Sequence, residues 1–351
     1  MSSSKAMGTD VGTMFYQTAE KGADGTVKTQ IVRNAFVEMV GGDDTEDTLK
    51  RNSWNYVKDG DKFYVTGEDA IKVARAFPNK VEMRRPLADG VLNKGEDKKM
   101  LVLDYIVGST VGQAPDDKSV VCFCVSSPSV DQSQDSQFHK MRLGAMFTNR
   151  GWKVKVIEEA LAVILAERPT VIETVDGVET EAPYSGIGIS FGAGRVNCVL
   201  AYKGVQVIGM SAARSGDWID KQVVDATGLP LASVTSFKEK SLDFNNLGES
   251  DLAAALDVYY GEMIRYVFSL FAKKFQEVKS EFDAPLDVVV AGGTSMPKGF
   301  VDKLKFVVQG LNLPFKVKEV RHAKDPRNCV VEGCLAQAIV SQKRLEKGAD
   351  I

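Results

Sequence analysis

Residues 186–213, GIGISFGAGRVNCVLAYKGVQVIGMSAA, carry the pattern that decides the fold. Apolar and β-branched residues fill three runs, Gly186–Phe191, Val196–Tyr202 and Val205–Ala212, with glycine in both connections between them. Runs of this length joined by glycine-containing turns are typical of consecutive antiparallel strands. The stretch therefore predicts three strands in series, the first two joined by the turn at residues 192–194.

Helix and strand patterns alternate on both sides of these strands. A helix is predicted from Lys98 and a buried strand from Lys118, and the longest run with apolar residues every three or four positions lies at residues 250–282. Asp176-Gly177 indicates a turn between two short strands. Residues 5–8, KAMG, are not a buried apolar run, so we expect a poor strand before Asp10. The alternation predicts an α/β fold.

Length and composition exclude several classes of protein. At about 150 residues per domain, 351 residues suggest two domains. The 44 Lys and Arg against 47 Asp and Glu give a net charge of -3, which offers no overall attraction to nucleic acid or to an anionic membrane. The first ten residues, MSSSKAMGTD, resemble neither a signal peptide nor an amphipathic anchor. Five cysteines without zinc-like spacing favour a reducing, cytoplasmic location.

Three glycine-containing turns share a chemical pattern. They lie at residues 10–13, 190–194 and 291–295, each at the end of a predicted strand. Glycine lets backbone N–H groups approach an anion closely, and a helix that begins after such a turn adds a positive dipole end. One such turn is ordinary loop chemistry. The set, in this order, indicates phosphate binding.

In order along the chain, these and other segments resemble the nucleotide-binding superfamily of actin, the DnaK chaperones and the sugar kinases, and within it the bacterial actins of the MreB and MamK type. DVGT is similar to the first phosphate loop, SFGAGRVNCVL to the second and VVVAGGTSMPKGF to the adenosine loop. The remaining similar segments are RRPLADGVL at residues 84–92, IEEALA at 157–162, GDWID at 216–220 and EGCLAQA at 332–338.

The resemblance implies an actin-like fold, with two duplicated ribonuclease-H-like lobes around a nucleotide cleft, each with a smaller subdomain. The expected core of lobe I comprises residues 1–32, 80–184 and 330–351, with a small subdomain at 33–79. The expected core of lobe II comprises residues 185–216 and 250–329, with a small subdomain at 217–249.

The resemblance also implies the site. ATP or ADP with Mg²⁺ is the expected cofactor; Asp10 would organise the metal, and Glu159 would orient the attacking water, with Glu158 as the neighbouring alternative. The residues expected to contact the nucleotide are Gly12, Thr13, Ser190, Gly192, Ala193, Gly194, Gly216, Asp217, Lys238, Glu239, Gly292, Gly293 and Thr294.

Two departures from the family pattern bear on catalysis. Ser190 stands where these actins have an aspartate that helps to order Mg²⁺, and Arg195-Val196 replaces a threonine pair. A serine supplies no charge, which leaves the hydrolysis rate open. Arg195 either contacts a phosphate or is a solvated strand residue. Residues 238–240 either approach the purine or form a solvated run of charges.

The function that the resemblance implies is an ATP-dependent, filament-forming cytoskeletal protein with slow ATPase activity, acting in cell shape, organelle positioning or DNA segregation. Its expected partner is itself, with no direct nucleic-acid binding and no membrane anchor; adaptor proteins and the choice of ATP over GTP stay open. The alternatives are a non-polymerising enzyme of the sugar-kinase type, a DnaK-like ATPase and an FtsA- or PilM-like assembly ATPase.

Overall fold

Two five-stranded sheets form the centres of two compact units. The structure is a computed structural model that describes residues 4–77, 81–92, 97–133, 136–167, 171–175, 178–182, 184–278 and 284–351. The first unit comprises Met1–Phe123, Asp135–Val156 and Gln337–Ile351, and the second comprises Cys124–Gln134 and Ile157–Ala336.

The strands and helices up to residue 158 build most of the first unit. They are β1 (Ala6–Val11), β2 (Phe15–Lys21), β3 (Val27–Arg33), β4 (Phe36–Val40), α1 (Asp43–Arg51), β5 (Tyr56–Asp59), β6 (Lys62–Thr66), α2 (Glu68–Ala76), β7 (Met83–Arg84), β8 (Leu87–Ala88), β9 (Val91–Leu92), α3 (Asp97–Val111), β10 (Val120–Val125), α4 (Ser136–Thr148) and β11 (Lys153–Glu158).

The elements from residue 159 onward build most of the second unit. They are α5 (Glu159–Glu167), β12 (Val171–Val175), β13 (Val178–Ala182), β14 (Gly186–Phe191), β15 (Val196–Tyr202), β16 (Val205–Ala212), α6 (Gly216–Thr227), α7 (Leu231–Lys240), α8 (Asp251–Glu277), β17 (Leu286–Ala291), the short 3₁₀ turn Gly293–Ser295, α9 (Phe300–Gln309), β18 (Val317–His322) and α10 (Cys329–Glu346).

The first sheet has the strand order β11-β10-β1-β2-β3. β1 is its central strand, parallel to β10 and antiparallel to β2, and Met7, Gly8 and Thr9 are buried in it. The expectation of a poor strand before Asp10 is therefore wrong. A run with Met7 as its one large apolar residue before Asp10 is buried here because both edges of β1 are paired with neighbouring strands.

A second, four-stranded sheet lies in the first unit, in the order β5-β6-β4-β7. Its own small core packs α1 and α2 against it through buried apolar side chains, which are Val37, Leu49, Phe63, Val65, Ala70 and Val73. The chain passes from the first sheet to this one at Asn34 and Ala35, between β3 and β4.

The second unit is built on the sheet β16-β15-β14-β17-β18. The three strands predicted from residues 186–213 have the predicted bounds, and they pair as an antiparallel series. β14 is parallel to β17, which is parallel to β18. Apolar residues of α8 and α9 cover this sheet with one large core, and α5 packs against β14 and β15.

Several smaller expectations have clear outcomes. β12 and β13 pair antiparallel as predicted, whereas Asp176 and Gly177 of the expected turn lie outside the described residues. All five cysteines are buried free thiols. Within the described ranges, none of the helices combines the length and apolar composition that crossing a membrane requires.

Candidate functional site

Glu159 lies at the junction where β11 ends and α5 begins. Ser190 Oγ donates to its Oε1 over 2.6 Å, and Asn197 Nδ2 donates to its Oε2 over 2.8 Å. Ser190 and Asn197 are opposite each other in the register of β14 and β15, so their side chains leave the sheet on the same face. Two neutral donors therefore fix both oxygens of one carboxylate.

The neighbouring carboxylate, Glu158, has different partners. The Ser127 hydroxyl donates to its Oε2, and this oxygen also lies so close to Gly209 that a Cβ on the glycine would come within 2.2 Å of it. Successive residues at this junction thus face different surroundings. Glu159 is the carboxylate that lies beside the strand carrying Ser190.

The glycine turn at residues 192–194 is held against the start of α6. Gly216 N donates to Gly192 O over 3.1 Å, Asp217 N donates to Ala193 O over 2.8 Å, and Ser215 Oγ donates to the same Ala193 oxygen over 2.6 Å. The carbonyl groups of the turn therefore point toward the helix start, which fixes the backbone that carries the amides of Ala193 and Gly194.

The third glycine segment, residues 292–294, joins the same cluster. Thr294 Oγ1 donates to Gly192 O over 2.9 Å. Gly292 has a φ of 95°, and a Cβ there would lie 2.4 Å from Phe191 O, so only glycine fits against β14. A Cβ at Gly293 would meet nothing within 4 Å, which leaves open space beside this residue for a ligand.

A buried tyrosine donates a hydrogen bond to this segment. Tyr260 Oη donates to Thr294 O over 3.1 Å. Burial raises the pKa of Tyr260 well above its usual value, so the hydroxyl keeps its proton and remains a donor. The second unit thus brings together Glu159, Ser190 and the segments 192–194, 216–217 and 292–294.

Lys238 is part of α7 and is buried, so the expectation of a solvated charge run at residues 238–240 is wrong for this residue. Its Nζ lies 2.7 Å from Asp220 Oδ1 and donates to Gly216 O over 2.9 Å. The ion pair offsets the cost of burying the ammonium group. Lys238 therefore supports the start of α6, while Glu239 is exposed.

Arg195 matches neither of the two roles expected for it. Its side chain is 1% exposed and lies 3.7 Å from Asp131 Oδ1. Its guanidinium also donates to Ser129 Oγ over 2.9 Å and to Gln132 Oε1 over 3.1 Å. It ties residues 129–132 to the β14–β15 hairpin instead of reaching solvent.

The first unit carries the other glycine turn. Asp10 is in β1 with Gln17 directly opposite on β2, and a Cβ at Gly12 would lie 2.7 Å from Phe15 O. Thr13 is buried. Gln17 is also buried, and its Oε1 has no hydrogen-bond partner among the described residues. Two polar side chains thus leave the same face of the hairpin beside the turn.

Sequence reasoning missed three polar residues of the site. They are Asn197, Gln17 and Asn34, the last of which donates from Nδ2 to Gly12 O in the first glycine turn. A signal for Asn197 was present: it is the polar residue in the apolar run VNCVLA, and the short turn sets it opposite Ser190. No comparable signal marks Asn34. Of the described residues, no group of three or more His, Cys, Asp or Glu is placed to hold a metal ion by itself.

Comparisons with known proteins bear on the family and on the fold. A family model described as Volactin matches residues 5–338. The chain is similar to the structure titled "MamK double helical filament", with 18% identity, a TM-score of 0.67 and coverage of 96% of this chain and 99% of the other. It is also similar to MreB 5 of Spiroplasma citri bound to AMPPNP, with 14% identity, a TM-score of 0.68 and coverage of 99% and 100%.

A second structure of the Spiroplasma citri protein, bound to ADP, aligns with 14% identity, a TM-score of 0.66 and coverage of 99% of both chains. The comparison with curated proteins finds no significant match. The fold is thus the actin-like fold that the sequence predicted.

Proposed function

The chain belongs to the Volactin family, and from this premise we propose that it is an actin-like protein that binds ATP with Mg²⁺ and assembles into filaments. The proposal rests on the fold, which it shares with MamK filaments and with nucleotide-bound MreB 5. One observation supports nucleotide binding above all. The start of α6 and residues 292–294 both donate hydrogen bonds to Gly192 O, in the turn at residues 192–194.

The residues of this cluster suit a phosphate-bearing ligand. The amides of Ala193 and Gly194 are the proposed donors for phosphate oxygens, because those of Gly216 and Asp217 already donate to carbonyl groups of this turn. The dipole of α6 favours negative charge near the start of the helix. Gly293, where a Cβ would meet nothing within 4 Å, is the proposed neighbour of the ribose and base. Gly12 and Thr13 are the proposed phosphate contacts in the first unit.

Mg²⁺ fits this set of residues when it is held chiefly by the nucleotide. Mg²⁺ in proteins commonly keeps several waters and uses one or two carboxylates together with substrate phosphates. Asp10 is the proposed carboxylate, and the ion would supply charge neutralisation on the phosphates. Ser190 is engaged with Glu159 and adds no charge, so the site relies on a single carboxylate.

Glu159 is the proposed residue that orients the attacking water. Its carboxylate is held on both oxygens, which fixes its position without neutralising it. An oriented carboxylate accepts a hydrogen bond from water and directs the oxygen toward the γ-phosphate, and such positioning is the main protein contribution to phosphoryl transfer. We propose that this hydrolysis is slow and that the two donors assist it by holding the carboxylate in position.

Filament assembly would depend on the bound nucleotide, because the ATP-bound and ADP-bound forms would bind a second copy with different affinities. If the ATP-bound form binds a second copy more tightly than the ADP-bound form, ATP shifts the population toward filaments. The test is sedimentation and electron microscopy of the full chain with ATP, with ADP and without nucleotide, alongside phosphate release. We expect pelleted filaments with ATP and slow release of phosphate.

The outcomes separate the alternatives. A chain that binds ATP, measured by calorimetry, but stays monomeric at high concentration with every nucleotide would be a non-polymerising ATPase or enzyme of the same fold. A chain that neither binds nor hydrolyses ATP would overturn the nucleotide proposal itself.

A further inference from the structure

Asn34 occupies the link between the two sheets of the first unit. β3 ends at Arg33 in the five-stranded sheet, and β4 begins at Phe36 in the four-stranded sheet. Neither glycine nor proline marks this crossing. Residues 34 and 35 are therefore the covalent link between the two sheets.

Both the backbone and the side chain of Asn34 hold the glycine turn at residues 12–14. Asn34 Nδ2 donates to Gly12 O over 2.8 Å, and Asn34 N donates to Met14 O over 3.0 Å. A Cβ at Gly12 would lie 2.7 Å from Phe15 O, so the close turn that Asn34 contacts requires glycine at this position. Two hydrogen bonds therefore link the position of Asn34 to that of the turn.

Packing alone does not explain an asparagine at this position. The residue is fully buried, and its Oδ1 has no hydrogen-bond partner among the described residues. A buried carbonyl oxygen without a hydrogen-bond partner lowers stability. An apolar residue of similar size would avoid that loss. The contact that distinguishes asparagine here is the donation from Nδ2 to Gly12 O.

The flanking residues extend the connection into the four-stranded sheet. Arg33 lies with its guanidinium 4.7 Å from the centre of the Phe15 ring, and its Nε is 3.1 Å from Glu68 Oε1 in the first turn of α2. On the other side, Gly67 N donates to Ala35 O over 2.9 Å. The turn and the start of α2 are thus joined through residues 33–35.

We propose that Asn34 is a positioning residue that couples occupancy of the 12–14 turn to the four-stranded sheet. The inference rests on the proposed function, since the occupant is the phosphate end of ATP. A nucleotide that orders the turn orders β4 and β6 through Asn34, and by linkage a contact that fixes the four-stranded sheet, such as a second copy of this chain, raises nucleotide affinity by the same factor.

The test compares two alanine substitutions in the full chain. Asn34→Ala removes the donor to Gly12 O, and Asn52→Ala is the matched control, because Asn52 Nδ2 donates to Thr48 O over the same 2.8 Å at the end of α1. Amide hydrogen exchange of β4 and β6 is measured with and without ATP and Mg²⁺, together with the ATP dissociation constant.

Wild type and Asn52→Ala should show protection of β4 and β6 on adding ATP. Asn34→Ala should lose that protection and bind ATP roughly tenfold more weakly, while ATP still protects the amides of residues 192–194. Retained protection of β4 and β6 in Asn34→Ala would overturn the coupling. Should that variant not fold, Asn34→Val makes the same comparison, because valine has no donor and leaves no loss of volume.

The wild-type titration separates the two proposals. A wild-type chain that binds ATP and protects residues 192–194 without protecting β4 and β6 overturns the coupling and leaves the proposed function standing. A wild-type chain that does not bind ATP overturns both.

Discussion

Ser190 Oγ donates a hydrogen bond to Glu159 Oε1 over 2.6 Å. In the bacterial actins that this chain resembles, an aspartate stands at the position of Ser190. With Asn197 on the other oxygen, the serine places a neutral donor on each oxygen of Glu159. A second carboxylate at position 190 would face the first at hydrogen-bond distance, and the two charges would repel. The serine at position 190 therefore allows the Glu159 carboxylate to lie where it does.

Ser190→Asp should slow phosphate release at neutral pH, by about tenfold, because the repulsion displaces the carboxylate that orients water. Ser190→Ala should slow it less, since Asn197 still holds one oxygen. Single-turnover phosphate release at saturating ATP measures both effects. Ser109→Ala, which removes a hydroxyl that donates to Ile106 O in α3, is the control. Faster release with a steeper Mg²⁺ dependence in Ser190→Asp would instead make position 190 part of the metal site.

Glu159→Gln should slow phosphate release by about 100-fold or more, the range typical for loss of a group that handles the proton of the nucleophile. ATP affinity should change by less than about twofold, because the proposed phosphate contacts are backbone groups elsewhere. Calorimetry and phosphate release separate the two effects. Glu158→Gln is the matched control, since the Glu158 carboxylate has its own partner in Ser127. A large loss in Glu158→Gln with normal turnover in Glu159→Gln would reverse the assignment.

The parts of the fold that sequence could predict are those set by local pattern. The bounds of β14, β15 and β16 follow from runs of apolar residues and from the glycines between them, which are local properties. β1 could not be predicted in this way, because residues 6–9, AMGT, are not an apolar run and pair with β10, over a hundred residues away.

The surroundings of the charged residues could not be predicted for a similar reason. Arg195 is buried because Asp131 and Ser129, more than 60 residues earlier, satisfy its guanidinium. Lys238 is buried because Asp220, in the preceding helix α6, pairs with its ammonium group. A charge looks solvated in a sequence until its partner is known. The glycine turns were predictable because a glycine needs no partner to indicate a tight turn.

Gly333 lets α10 approach α5 closely. A Cβ at this position would lie 1.9 Å from Ala162 O, a backbone atom that cannot move away cheaply. Gly333→Ala should therefore destabilise the fold by about 1–3 kcal/mol or more, as overpacking does. Urea unfolding followed by circular dichroism measures the change.

Gly144→Ala is the control for that substitution. Gly144 is in α4, and a Cβ there would meet nothing within 4 Å. The change should be neutral or should stabilise by about 0.5–1 kcal/mol, because alanine favours helix over glycine. Equal stability of Gly333→Ala and wild type would mean that α10 and α5 are farther apart in solution than in this structure.

His139 should make the stability of the first unit depend on pH. The side chain is buried in α4, its Nδ1 accepts a hydrogen bond from Leu92 N over 3.2 Å, and burial lowers its pKa to about 4. In the unfolded chain a histidine has a pKa of about 6.5. The folded state therefore holds the neutral ring and resists protonation, whereas the unfolded state takes up the proton below pH 6.5.

The stabilisation from His139 is complete above about pH 6.5 and is lost as the pH falls toward 4, at roughly 1.4 kcal/mol per pH unit within that window. His139→Asn keeps an acceptor for the Leu92 amide and removes the titrating ring. Between pH 7 and pH 5, its free energy of unfolding should fall less than that of wild type, by about 2 kcal/mol. Urea titrations of both proteins at the two pH values measure this difference. An equal fall in both would show that the ring of His139 is open to protonation in the folded protein.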